Sequence, residues 1–378
     1  MAKQNKPAIR FKGFTDAWEQ RKLGALCVEF KSGDFISASD IAENEAYPVY
    51  GGNGLRGFTN HYNHDGEYAL IGRQGALCGN VNYAVGKSYF TEHAVAVRAN
   101  KTNQTRFLYY LFSTMNLGQY SGQSAQPGLA VGNLVELENV VPSKPEQEKI
   151  ASFLSSLDHL ITLHQRKYDK LQVLKKAMLE KMFPKNGSSV PEIRFKGFTD
   201  AWEQRKLGEV VKEVTRNDPT SEAPIMMITA NNGFIEQSER YAFDNAGESL
   251  KKYILLQKGE LAYNHGASKL RPFGSCFALT TAESARIPFV YHCFSAENQN
   301  AEFLSIELNG SEVESQLRKI VSSGARMDGL LNISFDEYST VTVLLPDIKE
   351  QEHIADFFRN LDHLITLHQR KFYVSILV

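Results

Sequence analysis

The sequence predicts a mixed α/β (α+β) protein with an internal pseudo-twofold repeat. Two bodies with small irregular sheets are expected, separated by a pair of long antiparallel coiled-coil helices. Three observations predict this fold. The phrase IRFKGFTDAWEQRKLG occurs at 9–24 and again, unchanged, at 193–208, and LDHLITLHQRK occurs at 157–167 and again at 361–371. Between these phrases lie strand-like runs with glycine-rich turns, and the second phrase lies in a heptad pattern.

Each half has a constant opening, a variable middle and a constant closing. The openings lie 184 positions apart and the closings 204, so the second middle is longer by 20 residues. The two middles differ almost everywhere in sequence. We therefore expect the constant parts to hold something common to both halves, and the variable parts to read something different in each half.

Composition limits the possible classes of protein. A chain of 378 residues has room for about two domains. The net charge of −1 gives no global sign of nucleic-acid binding, although a local basic surface would be enough. The four cysteines form no C-x-x-C pair, which suits a reducing compartment. The sequence has neither an apolar run of membrane-spanning length nor a secretory start, so it predicts a cytoplasmic protein.

The constant opening carries aromatic residues that are candidates for two roles. They could form the core of each half or dock a partner common to both halves. Residues Gln147 and Gln351, in the closings, are candidates for the same frame or docking role. The aromatic candidates are Phe11, Phe14 and Trp18 in the first half, and Phe195, Phe198 and Trp202 in the second.

The closings predict long helices with a coiled-coil seam. Pro145 suits a first helical turn, and Pro184 and Gly187 predict the end, which gives a helix of about 38 residues and roughly 57 Å. The two helices are expected to pack on each other; alternatively, each packs only on its own domain. His164 and His368 are expected to fix the register of the seam. The seam positions are Ile150, Leu154, Leu157, Ile161, His164, Tyr168 and Leu171, then Ile354, Phe358, Leu361, Ile365 and His368.

The variable middles predict compact domains with few regular elements. Strands are expected at 67–72, 93–99, 223–230, 251–256 and 339–345, and helices at 104–115, 300–310 and 311–321. Their turns are rich in side chains that suit DNA, since Arg and Lys bind guanine edges and phosphates while Asn and Gln bind adenine. Such residues also serve turns and solvated surfaces. The candidates are Asn53, Arg56, Asn60, Tyr62, Arg73, Gln74, Gln123, Gln126, Asn231, Asn232, Asn264, His265, Ser268, Lys269, Arg271, Ser323 and Arg326.

Catalytic motifs fail on inspection. Gly52, Gly54 and Gly57 match G-x-G-x-x-G, but no helix can start after them, so a tight turn is expected. The VGKS at 85–88 lacks the first glycine of a phosphate-binding loop, and the stretch 217–220 lacks the second proline and the aromatic residue of a base-methylating loop. The histidines have no metal-ligand spacing. A recognition scaffold is favoured, and a coiled-coil assembly scaffold and a standalone DNA-modifying enzyme remain as alternatives.

The repeated motifs resemble the specificity subunit of type I restriction–modification systems. The resemblance covers nearly the whole chain. It is carried by FKGFTDAWEQRKLG in each half and by the closings PSKPEQEKIASFL and PDIKEQEHIADFF. The stretches 47–81 and 322–335 also look like parts of known target-recognition domains.

The resemblance implies separate roles for the middles, the helices and the partner subunits. Each middle would be a target-recognition domain that reads half of a split DNA site, and the helices would set the gap between the halves. Two modification subunits, carrying S-adenosylmethionine and the adenine-methylating site, would dock on the constant parts. A restriction subunit with ATP and magnesium can join them. The chain itself would have no catalytic residue, cofactor or metal.

The predicted domains follow from these elements. The first target-recognition domain spans 1–144, the central helix 145–185 and the second target-recognition domain 186–345. The segment 346–378 is expected to be a distal helix, truncated by about a dozen residues relative to the first. In the family that helix usually continues as the first one does, so the short form puts the full helix pair in question.

Overall fold

A computed structural model describes residues 7–75, 77–122, 128–185, 187–230, 233–239, 247–321 and 331–377. The chain forms two compact units, Met1–Thr162 and Leu163–Val378. Each unit contains one variable middle and one copy of the constant opening. The predicted mixed α/β fold with small sheets and a long helix is confirmed. Among the described helices, none is long and apolar enough to cross a membrane.

The first unit consists of a short ribbon, a four-stranded sheet, a three-stranded sheet and helices. Strands β1 and β9 form the ribbon, the larger sheet has the order β2-β8-β5-β6, and the smaller one has the order β4-β3-β7. The elements are β1 Glu19–Lys22, β2 Cys27–Ser32, β3 Tyr47–Gly51, β4 Gly54–Thr59, β5 Glu67–Gly72, β6 Val81–Val85, β7 Tyr89–Phe90, β8 Ala94–Ala99, α1 Thr105–Thr114, α2 Val131–Glu136, β9 Glu138–Val141 and α3 Lys144–Lys181.

The larger sheet of the first unit is buried on both faces. Since successive side chains of a strand point to opposite sides of the sheet, one strand contributes residues to both faces. Along β5, Ala69 and Ile71 join the cluster that includes α1, whereas Tyr68 and Leu70 join Phe90 on the other face. This explains why five consecutive residues of β5 are buried and why the stretch is apolar without alternation.

The second unit builds the same strand order from a different sequence. Its larger sheet has the order β11-β18-β15-β16, and three two-stranded ribbons pair β10 with β19, β12 with β13, and β14 with β17. The elements are β10 Glu203–Lys206, β11 Val211–Glu213, β12 Met226–Thr229, β13 Gly233–Glu236, β14 Ile254–Gln257, β15 Leu261–Asn264, β16 Ser275–Ala278, β17 Ser284–Ile287, β18 His292–Ala296, α4 Ala301–Leu308, α5 Ser311–Ile320, α6 Phe335–Tyr338, β19 Thr342–Leu345 and α7 Ile348–Leu377.

The closing helices have the predicted character. Helix α3 has 38 residues and α7 has 30. Within the second unit they run antiparallel, since Nδ1 of His164 lies 3.0 Å from Nδ1 of His368 while Lys175, further along α3, pairs with Asp362, earlier on α7. The two seams meet at this histidine pair, whereas Ile354 and Phe358 pack into the core of their own unit. The α7 seam is buried at Ile354, Phe358, Leu361 and Ile365, and the α3 seam is half-buried at Ile150, Leu154, Leu157, Ile161, His164, Tyr168 and Leu171.

Candidate nucleic-acid interface

The two constant openings form the same frame in each unit. In the first, β1 pairs with β9 from Glu19↔Val141 to Lys22↔Glu138, and in the second β10 pairs with β19 from Glu203↔Leu345 to Lys206↔Thr342. An opening strand and a strand just before the closing helix are therefore hydrogen-bonded neighbours in both units. The chain enters and leaves each variable body at this ribbon.

A buried ion pair attaches each opening to its closing helix. Arg10 donates from Nε and Nη2 to the two carboxylate oxygens of Glu146, both at 2.7 Å, and Arg194 makes the same two bonds to Glu350. Glu146 is 1% exposed and Glu350 is fully buried. A planar guanidinium suits such two-point binding of a carboxylate. The hydrogen bonds from Arg194 also raise the pKa of that guanidinium.

The glutamine of each closing attaches the variable body to the frame. Gln147 accepts from the backbone N–H of Gln104 at 3.0 Å, where α1 begins, and donates to Asn103 and to the Pro142 carbonyl. Gln351 accepts from the N–H of Asn300, where α4 begins, also at 3.0 Å. Both amides are buried and fully used inside the protein, so their geometry supports the frame role over docking.

The aromatic residues of the openings lie at different depths. Trp202 is buried, and its ring packs on Phe183 with centroids 5.8 Å apart. Phe195 and Phe198 are half-buried beside His353. In the first unit Trp18 and Phe14 are half-buried, and Phe11 is exposed, with its ring against that of Phe153 at 5.8 Å.

Two exposed loops of the first unit collect candidate binding residues. The turn between β3 and β4 carries Asn53. This turn lies close to the loop that carries Gln74, because a Cβ added to Gly52 would lie 3.5 Å from the Gln74 carbonyl oxygen. At Gly72 an added Cβ would lie 2.2 Å from the carbonyl oxygen of Gly52, so a side chain at position 72 would prevent this close approach. The expected tight turn at the G-x-G-x-x-G match is thus present. Asn53, Arg56 and Gln74 are exposed beside it.

The loop 60–65, which joins β4 to β5, forms the second exposed group. Asn60 and Tyr62 are exposed, the Tyr62 ring packs on Tyr47 at 5.0 Å, and Nζ of Lys87 lies 4.8 Å from its centroid. An aromatic face with an adjacent ammonium can stack on a base and contact a phosphate. Tyr47 and Lys87 were not expected from the sequence, because they come from β3 and from the turn before β7.

Arg73 and Asn264 differ from expectation because their side chains are used within the fold. Half-buried Arg73 donates to the carbonyl of Leu129 and to Ser32, both at 3.3 Å. The amide of Asn264 donates to the carbonyl of Ile228 and accepts from the N–H of Gly266.

His265 and Arg271 also have hydrogen-bond partners within the fold. His265 is 5% exposed, and its two ring nitrogens lie 2.7 Å from the carbonyl oxygens of Leu331 and Val290. Arg271 donates to the Asn309 carbonyl at 2.9 Å, and burial lowers its pKa. Ser268 and Lys269 remain exposed on the loop between β15 and β16. The expected residues Gln123, Gln126, Asn231, Asn232, Ser323 and Arg326 lie outside the described residues.

Comparisons with known proteins bear on this arrangement. Residues 15–173 match the family described as type I restriction modification DNA specificity domain. The chain is 45% identical over 146 residues to the type I restriction enzyme EcoprrI specificity subunit of Escherichia coli, a match that covers 38% of this chain and 36% of the relative. It is 33% identical over 129 residues to the MjaIX specificity subunit of Methanocaldococcus jannaschii, covering 31% of this chain and 30% of the relative. Each match therefore spans about a third of the relative's length.

A solved structure agrees with the fold over the whole chain. The S subunit of a type I restriction–modification system from M. genitalium superposes with a TM-score of 0.63 at 13% identity, covering 97% of this chain and 94% of that one. At this identity the likeness concerns the fold. It extends the agreement beyond residue 173, where the family match ends.

The fold and the frame define a class of protein in which two variable bodies are held by two copies of one constant frame. Within that class, residues 15–173 are similar to the type I restriction modification DNA specificity domain, and the curated relatives that the chain matches over about a third of their length are specificity subunits.

Proposed function

We propose that the chain is the DNA sequence-specificity subunit of a type I restriction–modification complex. Each variable body reads one half of a bipartite DNA site, and the helices α3 and α7 set the gap between the halves. The observation that carries the proposal is the repeated frame. In each unit, the same strand register and an equivalent Arg–Glu pair hold a variable body, and the exposed side chains of the two bodies differ.

The exposed groups have chemistry that suits DNA. In the first body, Asn53 and Asn60 can bind adenine edges, and Arg56 can bind guanine or phosphate. Tyr62 with Lys87 provides a stacking face beside a cation. In the second body Lys269 and Ser268 are exposed on the loop between β15 and β16, where phosphate contacts are the natural role. We also include Gln74, Gln123, Gln126, Asn231, Asn232, Ser323 and Arg326 as candidate contacts. The candidates Arg73, Asn264, His265 and Arg271 have partners within the fold and are expected to contribute less.

The partners follow from the family. Two modification subunits would dock on the frames, supply S-adenosylmethionine and methylate an adenine in each half-site. A restriction subunit would supply ATP-driven translocation and require magnesium. The chain would be non-catalytic and would act where the chromosome lies, in the cytoplasm. The proposed domains are 1–144 and 186–345 for reading, with 145–185 and 346–378 as the spacer helices.

The test exchanges one variable body and maps the methylated sites. Residues 25–144 are replaced by the corresponding segment of another specificity subunit, and adenine methylation is mapped across the genome of a host carrying the chain and its modification subunit. We expect one half of the methylated sequence to change and the other to stay. Unchanged sites would favour a coiled-coil scaffold without DNA contact, and methylation by the purified chain alone would favour a standalone enzyme.

The gap has its own test. Insertion of one heptad after Lys167 adds roughly 10 Å of helical rise, and mapping of the methylated sites should then show a longer unread gap between unchanged half-sites. A gap of the original length would contradict the spacer role. A four-residue insertion in the exposed turn at 258–260 is the matched control, and it should leave the gap unchanged.

A further inference from the structure

One residue of the loop 60–65 of the first body is a histidine whose side chain is buried beneath the exposed part of that loop. His64 is 8% exposed, and its ring stacks on Phe90 with centroids 4.5 Å apart. Its backbone pairs with Ser88 through N–H to carbonyl bonds of 3.1 and 3.0 Å. Its ring nitrogens face two acceptors, since Nδ1 lies 2.7 Å from Oδ1 of Asn63 and Nε2 lies 3.1 Å from Oε1 of Glu29.

The orientation of the Asn63 amide is fixed by the backbone of Phe90. The N–H of Phe90 donates to Oδ1 of Asn63 at 2.8 Å, and Nδ2 of Asn63 donates to the Phe90 carbonyl at 3.0 Å. Nδ2 also donates to Asp34 at 3.0 Å. A backbone N–H can only donate and a carbonyl can only accept, so the atom facing Nδ1 of His64 is an oxygen. Nδ1 must therefore carry a hydrogen.

The other ring nitrogen faces an ionised carboxylate. The hydroxyl of Tyr68 donates to Oε2 of Glu29 at 3.0 Å, and Nζ of Lys31 lies 3.2 Å from Oε1. Burial alone would raise the pKa of Glu29, but these two hydrogen bonds and the nearby charges of His64 and Lys31 outweigh it, and the pKa is lowered. An ionised carboxylate only accepts, so Nε2 of His64 also carries a hydrogen.

We propose that His64 is a positively charged positioning residue for the first reading surface. Its Nε2 bond to Glu29 fastens the loop 60–65 to β2, and its Nδ1 bond orients the Asn63 amide that binds Phe90 of β7. Together these bonds hold Asn60 and Tyr62 in place on the exposed side. This rests on the proposed function, because the loop is useful only if the first body reads DNA. The charged and titratable groups that face the cluster come from several elements. They are Glu29 and Lys31 from β2, Tyr68 from β5, Asp34, which accepts from Asn63, and Arg98 from β8, whose guanidinium lies 5.7 Å from the Tyr68 ring.

The two ring bonds have a consequence for variants. Without the His64 ring, Asn63 and Glu29 each lose a donor, and a buried acceptor without a donor is unfavourable. Discrimination at the half-site read by the first body should then weaken, while discrimination at the other half-site should stay.

The charge state is tested directly on the full chain. With the histidines labelled with ¹⁵N, His64 is assigned as the signal lost in His64→Gln, and protons attached to each ring nitrogen are detected by NMR near neutral pH. We expect both nitrogens of His64 to be protonated. A single protonated nitrogen would overturn the proposal whatever the protein does with DNA.

The positioning role is tested with the modification subunits present, on a library of unmethylated DNA in which the half-sites are varied. His64→Gln should lose selectivity at the first half-site and keep it at the other. Selectivity equal to that of the wild type at the first half-site would overturn the positioning role. His159→Gln, an exposed histidine on α3, is the matched control and should behave as the wild type.

A second variant guards against a misfolded His64→Gln. Glu29→Gln keeps an oxygen acceptor for His64 but removes the negative charge, so selectivity at the first half-site should fall below that of the wild type. Selectivity identical to the wild type would overturn the role of the pair. If exchange of residues 25–144 alters neither half-site, the proposed function fails, and the NMR result still decides the charge on His64.

Discussion

The two copies of the constant opening share their sequence and their strand register, but their apolar side chains are covered differently. Trp202 is 3% exposed in the second unit, whereas Trp18, the same residue of the repeat, is half-buried in the first. Ile193 is 37% exposed and Ile9 is 91% exposed. Because the sixteen residues are identical, the difference comes from their surroundings.

The cover in the second unit comes from the last turn of α3 and the residues that follow it. Met182 is buried in the same cluster as Trp202, and Met178 and Phe183 pack against that cluster. The ribbon and the Arg–Glu pair, in contrast, are the same in both units. The backbone frame is thus specified by the repeat itself, while the stability that its side chains contribute depends on a separate segment of chain.

The largest expected effect tests this difference at the tryptophans. Trp202→Ala removes a buried ring and should cost about 3–5 kcal/mol in the second unit. Trp18→Ala should cost roughly half as much in the first, because less apolar area leaves water there. Hydrogen exchange of the β10–β19 and β1–β9 amides would measure the two losses separately. Equal losses would contradict the difference in cover, and Phe289→Ala, at an exposed ring, serves as control.

The second expected effect concerns a buried carboxyl on α4. Glu307 accepts from the Leu344 N–H at 3.0 Å, and burial raises its pKa to about 7. Counting from Phe303 and Phe107, which occupy equivalent places in α4 and α1, the first unit has Leu111 at this position. A raised acid pKa means that the folded state disfavours ionisation, so stability falls as pH rises from about 4.3 toward 7.

Glu307→Gln keeps the acceptor and removes the titration. It should therefore stabilise the second unit by about 3 kcal/mol at pH 8 and leave it nearly unchanged at pH 4. Denaturant unfolding at the two pH values would measure this. The matched control is Glu352→Gln, at an exposed position of α7, and a gain that is the same at both pH values would contradict the interpretation.

A smaller effect is expected at the histidine pair of the seam. With Nδ1 of His164 and Nδ1 of His368 3.0 Å apart, one ring must accept and is therefore neutral. Burial, followed by the charges of His164, Lys167 and Lys371, lowers the pKa of His368. The folded state thus disfavours its charged form, so the contribution is present above about pH 6.5 and is lost as pH falls below it.

Thermal unfolding between about pH 5 and pH 8 would follow this loss. The double variant His164→Asn/His368→Asn should remove the part of the pH dependence that comes from the seam. His363→Asn, at an exposed position of α7, should retain it. A double variant that keeps the wild-type dependence would show that the seam histidines are not its source.

The smallest effect separates the two copies of one aspartate. Asp362 pairs with Lys175 at 2.6 Å, whereas Asp158, its counterpart in the repeat, accepts from the Tyr110 hydroxyl at 2.6 Å. Since Lys175 and Asp362 are partly exposed, Lys175→Ala should cost only about 0.2–1 kcal/mol. The loss should shrink in high salt. Denaturant unfolding at low and high salt would measure it, and a larger loss that salt does not change would contradict a surface pair.

The sequence predicted the elements whose signals are local. The heptad stripe that starts at Ile150 and the prolines at 145 and 184 gave the length of α3 correctly, because apolar periodicity and helix ends are properties of neighbouring residues. The strands β5 and β8 and the helices α1, α4 and α5 were predicted for the same reason. The shared strand order of the two large sheets was missed, since no residue pattern common to the middles specifies it.

The site was predicted less well because its geometry depends on long-range packing. Tyr62 was a candidate, but its partner Lys87 comes from a different turn. His265 was a reasonable candidate by residue type, yet the carbonyls of Leu331 and Val290, distant in sequence, take both of its nitrogens. The role of Glu29 and His64 is likewise invisible in the sequence, since β2 and the loop 60–65 meet only in the folded sheet.

The paired strands of the frame impose one boundary condition on anything inserted between them. Both ends of a variable body must leave from neighbouring strands, about 4.8 Å apart, at Lys22 and Glu138 or at Lys206 and Thr342. The two bodies differ in length by 20 residues and both satisfy it. Recombination between the two stretches of gene that encode the repeat would therefore give folded chains with new pairs of variable bodies. The repeated phrase would mark the point of exchange in the gene as well as the start of each variable body in the protein.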